Sequence, residues 1–203
     1  VEFPVTTVVA IATVLVSFGA FNDRSLMYRL IFNPYRAARQ GELYRAFTHA
    51  FIHADIFHLI LNMYVFWQFG RLVELELSLE YGNKGEYLYA LLYLGGILFA
   101  TLPGFAKHNN NEGYNSLGAS GAVAAVIFAF ILIHPNTELF LLFLPIPVPA
   151  YIFGVCYLAL EFFLDRRGGS YIAHDAHFWG AIFGIVFMSI VDINLLTNFI
   201  DQF

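Results

Sequence analysis

The stretch Gly118-Ala119-Ser120-Gly121, at the head of an apolar run that reaches Ile133, decides how this chain is read. Ala122, Ala124, Ala125 and Ala129 follow, so the run is small on several faces. Small residues let helices approach closely inside a membrane, and a serine among them can be incidental to packing. Gly-x-Ser-Gly is only a fragment of the Gly-x-Ser-x-Gly elbow and lacks its strand–turn–helix setting. What adds weight is the company: His58 and Asn62 in one apolar segment and His177 in another. A hydroxyl, an imidazole and donors for a developing oxyanion are the parts that acyl transfer requires.

The composition places these residues in a membrane. Of 203 residues, 59% are hydrophobic and only 12% charged, where a soluble domain has about a quarter charged. A net charge of -5 gives no footing for nucleic-acid binding. The single cysteine, Cys156, lies in an apolar run and offers no disulfide framework. Val1 is not an initiator, so natural sequence is expected to precede it.

Six apolar segments are expected as spans: residues 5–21, 56–77, 87–102, 118–133, 150–164 and 175–196. They are continuously apolar, without the alternation of a membrane barrel, so helices are the default. The expectation is an all-α polytopic membrane protein: one domain over 1–203, six transmembrane helices, both termini on one side. The long first connection carries Arg24, Arg29, Arg36, Arg39 and Arg45 and is expected to fold on the protein, anchored by Tyr35, Tyr44 and Phe47. Pro103-Gly104 is expected to end the third span, and Gly82-Asn83-Lys84-Gly85 to form a turn. Leu139 to Leu144 is too short to span, and Pro145, Pro147 and Pro149 cannot lie inside a helix. Asp165 to Gly169 is read as the loop before the sixth span.

His177 opens that sixth segment, with Gly180, Ala181 and Gly184 on its helix face. Packing this shaved face on the Gly118–Ala129 run would bring His177 toward Ser120. A histidine inside a membrane segment is a functional candidate because burying it is costly; the plain alternative is an imidazole satisfied by a carbonyl. His58 and Asn62 are four apart and stacked on one face, suited to aim two donors at an oxyanion together with the Ser120 N–H. Their plain alternative is interhelical glue. His49, His53 and His58, with His174 and His177, invite a metal reading, but the His-Glu-x-x-His spacing is missing. No metal or cofactor is expected. Asp55 reads as the cap of the second span and Asp175 as that of the sixth. Asp175 would point about 200° away from His177, so the residues suggest a Ser–His dyad.

Taken together, the chain resembles the rhomboid family of intramembrane serine proteases. The resemblance rests on Tyr44-Arg45, the run His49 to His53, His58-Leu-Ile-Leu-Asn62, Gly118-Ala-Ser-Gly121, and Ala176-His177-Phe-Trp-Gly180 continuing to Gly184. It implies Ser120 as nucleophile, His177 as general base, and His58, Asn62 and the Ser120 amide as oxyanion hole. It also implies single-pass membrane proteins as substrates, cut where their helix unwinds, with the fifth span on the side of substrate entry. The chain departs from the family pattern at Tyr44, where tryptophan is commoner, and at Ala124, where many members carry an aromatic residue four after the serine.

All basic residues but Arg71 and Lys84 fall in odd-numbered loops, which the positive-inside rule places in the cytoplasm. The family opens outward, and the expectation follows it: a multi-pass protein of a bacterial cell membrane with its site facing outside. Three other functions compete. A catalytically inactive rhomboid-like protein that binds or escorts membrane helices need not keep both Ser120 and His177. A histidine-rich metalloenzyme would respond to chelation, and a small transporter would show paired half-helices or internal symmetry.

Overall fold

The computed structural model describes residues 4–141, 144–167 and 173–201. In chain order the helices are α1 (Val5–Asn22), α2 (Arg24–Leu30), α3 (Pro34–Arg39) and α4 (Arg45–Thr48), then a 3-10 turn (His49–Phe51). Next come α5 (Ile56–Tyr81), α6 (Asn83–His108) and α7 (Ser120–Ile133). A hairpin of β1 (Glu138–Leu141) and β2 (Leu144–Pro149) leads to α8 (Ala150–Arg167), α9 (His174–Val191) and α10 (Ile193–Ile200). Among the described residues four helices, α1, α5, α6 and α9, are long and apolar enough to cross a membrane. Their outward faces carry exposed Ile11, Leu15, Leu75, Leu98 and Ile190, a surface that only lipid or another protein satisfies. The chain is an integral, multi-pass membrane protein.

α7 is the centre. Every residue from Gly121 to Leu132 is buried, so this helix is apolar all round because it has neighbours all round. With 14 residues it measures roughly 21 Å, short of the roughly 30 Å hydrocarbon core. It therefore does not count among the four, and neither does α8, which carries Glu161, Asp165, Arg166 and Arg167.

The small faces explain how α9 reaches α7. A Cβ on Gly180 would stand 2.1 Å from the Gly121 carbonyl oxygen, and one on Gly184 2.2 Å from that of Ala125. Only hydrogen fits at either position, so the two backbones touch. α6 joins them: a Cβ on Gly96 would lie 2.9 Å from the Ala125 methyl. Two polar contacts tie α1 into the bundle. Glu74 on α5 accepts from the N–H groups of Val5 and Thr6, capping α1, which has no side-chain cap of its own. The Thr6 hydroxyl donates to Tyr89 at 2.9 Å.

Several expectations are corrected. The chain is mostly helical but adds a hairpin: the proline-rich stretch pairs antiparallel with β1, Leu139 opposite Val148, and residues 142–143 lie outside the described segments. Alternating prolines lack N–H groups along one edge of the strand only, which leaves the other edge able to pair. α6 does not stop at Leu102 but runs through Pro103 to His108. The Thr101 hydroxyl, just before the proline, donates to the Leu98 carbonyl at 2.7 Å. The expected four-residue turn shrinks to Gly82, whose φ of +58° reverses the chain directly into Asn83. The last segment is broken at Asp192, which is extended and accepts from the Asn194 N–H to start α10. Of the 165–169 loop, Asp165 to Arg167 belong to α8 and Gly168 and Gly169 lie outside the described residues.

The contact of α7 with α9 makes a direct prediction. Gly184→Ala should lower the unfolding midpoint in detergent, by an overpacking cost of about 1–3 kcal/mol, because its methyl meets backbone that cannot rotate away. An unchanged midpoint would show that the helices can separate without loss.

Candidate active site

The first connection folds into a scaffold for the Ser120 loop. Arg45 is buried; it donates to the carbonyls of Tyr28 at 2.7 Å and Ile31 at 2.9 Å and pairs with Glu42, which also holds Arg36 at 2.7 Å. Phe32 then forms a bridge to Ser116, with both backbone bonds at 3.0 Å, and Asn33 donates to the carbonyls of Glu112 and Tyr114. These contacts fix the chain just before Gly118.

The histidine run fixes it just after. The Gly118 N–H donates to the His49 carbonyl at 3.0 Å, and the Ala119 N–H donates to His53 Nε2 at 3.5 Å. With Nε2 accepting, neutral His53 carries its proton on Nδ1 and donates to Ser17 Oγ at 3.0 Å, whose hydroxyl donates on to the Phe51 carbonyl. Gly118 has φ +114°, and a Cβ there would lie 2.9 Å from the His58 ring. The glycine is needed for its backbone angle and for that close approach. The first helical bond of α7 runs from the Val123 N–H to the Ala119 carbonyl, so the Ser120 N–H stays outside the helical ladder.

On this platform Ser120 Oγ lies 2.7 Å from His177 Nε2. The two residues are 57 apart in sequence and are brought together as the small faces implied. His58 Nδ1 accepts from the Ala54 N–H at 3.4 Å, which leaves Nε2–H as a donor beside Gly118. Asn62, one turn on, donates one amide hydrogen to the His58 carbonyl at 3.0 Å and retains a second. Asp55 caps α5, accepting from the His58 N–H at 2.8 Å, and so also steadies that imidazole's backbone. A cavity of about 20 Å³ bounded by Leu117, Gly118, Ser120, Gly121 and Ala176 is large enough for one water.

One residue escaped the reading of the sequence. Glu161, buried on α8, places Oε1 3.0 Å from His177 Nδ1 and Oε2 2.6 Å from His174 Nδ1. Beyond the Ser–His pair expected from the residues, a carboxylate stands on the far nitrogen of His177. A lone Glu in an apolar run was itself the available signal, since such a group is costly unless it has a partner. Asp175 is elsewhere: its Oδ2 takes Lys107 at 3.2 Å and its Oδ1 the Ala176 N–H at 2.8 Å. It lies in the first turn of α9 but is not the cap, which is Ala173 with no side-chain bond.

Ligand atoms of Glu161, His174 and His177 lie within 4.8 Å of one another, a donor set that would suit zinc. Both imidazoles, however, turn Nδ1 to the carboxylate, and those contacts need the protons that a metal would displace. His49, His53 and His58 lie in the separate scaffold just described.

This architecture defines the class. A family model described as Rhomboid domain matches residues 40–192, and the chain belongs to that family. The chain is 32% identical over 187 residues, 86% of its length, to the RHOMBOID-like protein 12, mitochondrial, of Arabidopsis thaliana. It is 28% identical over 145 residues to the Presenilin-associated rhomboid-like protein, mitochondrial, of Homo sapiens. Over 77 residues, 37% of the chain, it is 36% identical to the Rhomboid protease GlpG of Salmonella choleraesuis. The chain spans 54% of the Arabidopsis protein, 35% of the human one and 28% of the Salmonella one. The expectation of a bacterial cell membrane does not fit the relatives that cover most of the chain, which are mitochondrial.

The scaffold histidines predict a pH dependence. Burial pushes the His49 imidazole down to about 4 and, with His58 nearby, the His53 imidazole down to about 3. Below the ordinary value of ~6.5 the unfolded chain takes up protons that the folded one refuses, so stability falls as pH drops from there toward these values. Between pH 7 and pH 5 the loss should be on the order of 2 kcal/mol for each imidazole. Thermal unfolding of wild type and His53→Gln across this range checks it; the variant should show a visibly flatter profile. Equal slopes would show that His53 is not the group being titrated.

Proposed function

We propose that the protein is an intramembrane serine protease that hydrolyses peptide bonds in or near transmembrane segments of membrane-protein substrates. The observation that carries this reading is the 2.7 Å contact of Ser120 Oγ with His177 Nε2 at the head of a buried helix. Ser120 attacks the scissile carbonyl as its proton passes to His177 Nε2. The C=O π electrons move onto oxygen, and the oxyanion is received by the Ser120 N–H, His58 Nε2–H and the free amide hydrogen of Asn62. The proton on His177 then goes to the leaving amine as the C–N bond breaks, giving an acyl-enzyme. Water attacks that ester with His177 again as base, releasing the acid and restoring Ser120. The cavity beside Ser120 supports a water held ready for this step.

We further propose six crossings in one domain, completed by the short α7 and the charge-bearing α8, and a site that opens to the non-cytoplasmic side. Three of the eight basic residues that argue for the opposite orientation are engaged in ion pairs. Arg36 and Arg45 share Glu42, and Lys107 pairs with Asp165 at 2.9 Å and with Asp175. Paired charges inside a folded loop count for less as topology signals than free ones. The substrates proposed are single-pass membrane proteins whose helix unwinds to expose a carbonyl. An inactive helix-binding role would not require a hydroxyl in contact with an imidazole.

The test is cleavage of a model single-pass substrate by purified protein in liposomes. Ser120→Ala and His177→Ala should each abolish it. Asn62→Ala should lower kcat by ~10²–10³ with a much smaller change in KM, since the donor acts on charge that develops in the transition state. A kcat unaffected by Asn62→Ala would make that residue interhelical glue.

A further inference from the structure

We infer that Glu161 is a positioning residue of this site, its carboxylate bridging His174 and His177 so that the base is held in one tautomer and one orientation. The inference rests on the reading of Ser120 as nucleophile and His177 as base. Three observations carry it. Both carboxylate oxygens are committed to imidazole Nδ1 atoms, at 3.0 Å to His177 and 2.6 Å to His174. Glu161 and His174 are buried, and His177 is partly so, its side chain 15% exposed. The opposite ring nitrogen of His177 is the one that meets Ser120.

The chemistry follows from those atoms. An ionised carboxylate only accepts, so His177 Nδ1 must carry hydrogen. Nε2 then holds the lone pair and accepts from the Ser120 hydroxyl. When the Ser120 proton moves to Nε2, the imidazolium forms next to a fixed negative charge and is stabilised there; Glu161 stays ionised throughout. His174 occupies the second oxygen and keeps the carboxylate from rotating away. Because Glu161 sits on α8 and His177 on α9, the bond also ties the position of α8 to the readiness of the base.

Replacing the carboxylate by an amide of the same shape lets an N–H face Nδ1 and favours the wrong tautomer. Glu161→Gln should therefore lower kcat by ~10²–10⁴ while KM changes by less than about three-fold. Its rate of covalent labelling by a fluorophosphonate should fall in parallel. Glu161→Asp, which restores a carboxylate, should recover at least about ten-fold of that loss, and Asp175→Asn should stay within about three-fold of wild type. Unfolding midpoints of all variants establish that folded protein is compared. A folded Glu161→Gln with near wild-type kcat overturns the inference, as does a Glu161→Asp no better than Glu161→Gln. An Asp175→Asn loss as large as that of Glu161→Gln does so too.

A measurement on the unaltered protein covers the case in which Glu161→Gln does not fold. In protein with ¹⁵N-labelled histidine, the His177 signals, assigned by their disappearance in His177→Ala, should show a protonated Nδ1 and an unprotonated Nε2 at neutral pH. The opposite tautomer contradicts the inference. If wild type itself neither reacts with fluorophosphonate nor cleaves, or if Ser120→Ala still does, the protease reading fails first. A reactive wild type with an indifferent Glu161 refutes the Glu161 inference alone.

Discussion

Helices α7 and α9 meet backbone to backbone, and the distance between Ser120 and His177 depends on it. Gly180 and Gly184 leave no side chain at two close points of the seam, so the Gly121 and Ala125 carbonyl oxygens of α7 lie where methyl groups of α9 would be. This contact has no tolerance to spend. A bulkier residue at the seam would move the imidazole by more than the latitude of a 2.7 Å hydrogen bond. The remaining helices wrap the pair and leave α7 without a lipid-facing side.

The second constraint is the clamp on residues 116–119. Two backbone N–H groups of this loop are taken by the His49 carbonyl and the His53 ring, and the loop is bridged to Phe32. With those donors occupied, the next one, on Ser120, is left aimed outward at the head of α7. The histidines do this while neutral, and burial keeps them so. Scaffold and chemistry thus divide the imidazoles among them: His49 and His53 hold backbone, His58 offers a donor, and His177 meets the hydroxyl.

Much of this was legible in the chain itself. The glycine and alanine positions at i+3, i+4 and i+7 from His177 mark a face made for close contact, and they lead to Ser120 without any coordinates. Asp55 three residues before the His58 N–H is a cap by spacing alone. Three features were not legible. Glu161 precedes His177 by sixteen residues with a helix boundary between them, so no periodicity links the two; only the packing of α8 on α9 does. Pro103 reads as a helix end because its local penalty is visible, whereas the tertiary surroundings that carry α6 past it are not. The proline-rich stretch shows that it cannot be helical, but pairing with Glu138–Leu141 is a two-strand property that neither strand announces. The absence of an aromatic residue at position 124 acquires a physical counterpart in Glu161, which engages the His177 ring from the neighbouring helix.

The central claim is that Ser120 is a nucleophile made reactive by His177. The most direct measurement is peptide mapping by mass spectrometry after wild-type protein in detergent is treated with a fluorophosphonate. The account predicts one covalent adduct, on the peptide containing Ser120, whose formation is lost in folded His177→Ala. An adduct on another residue, or one on Ser120 that forms equally fast without His177, would contradict it.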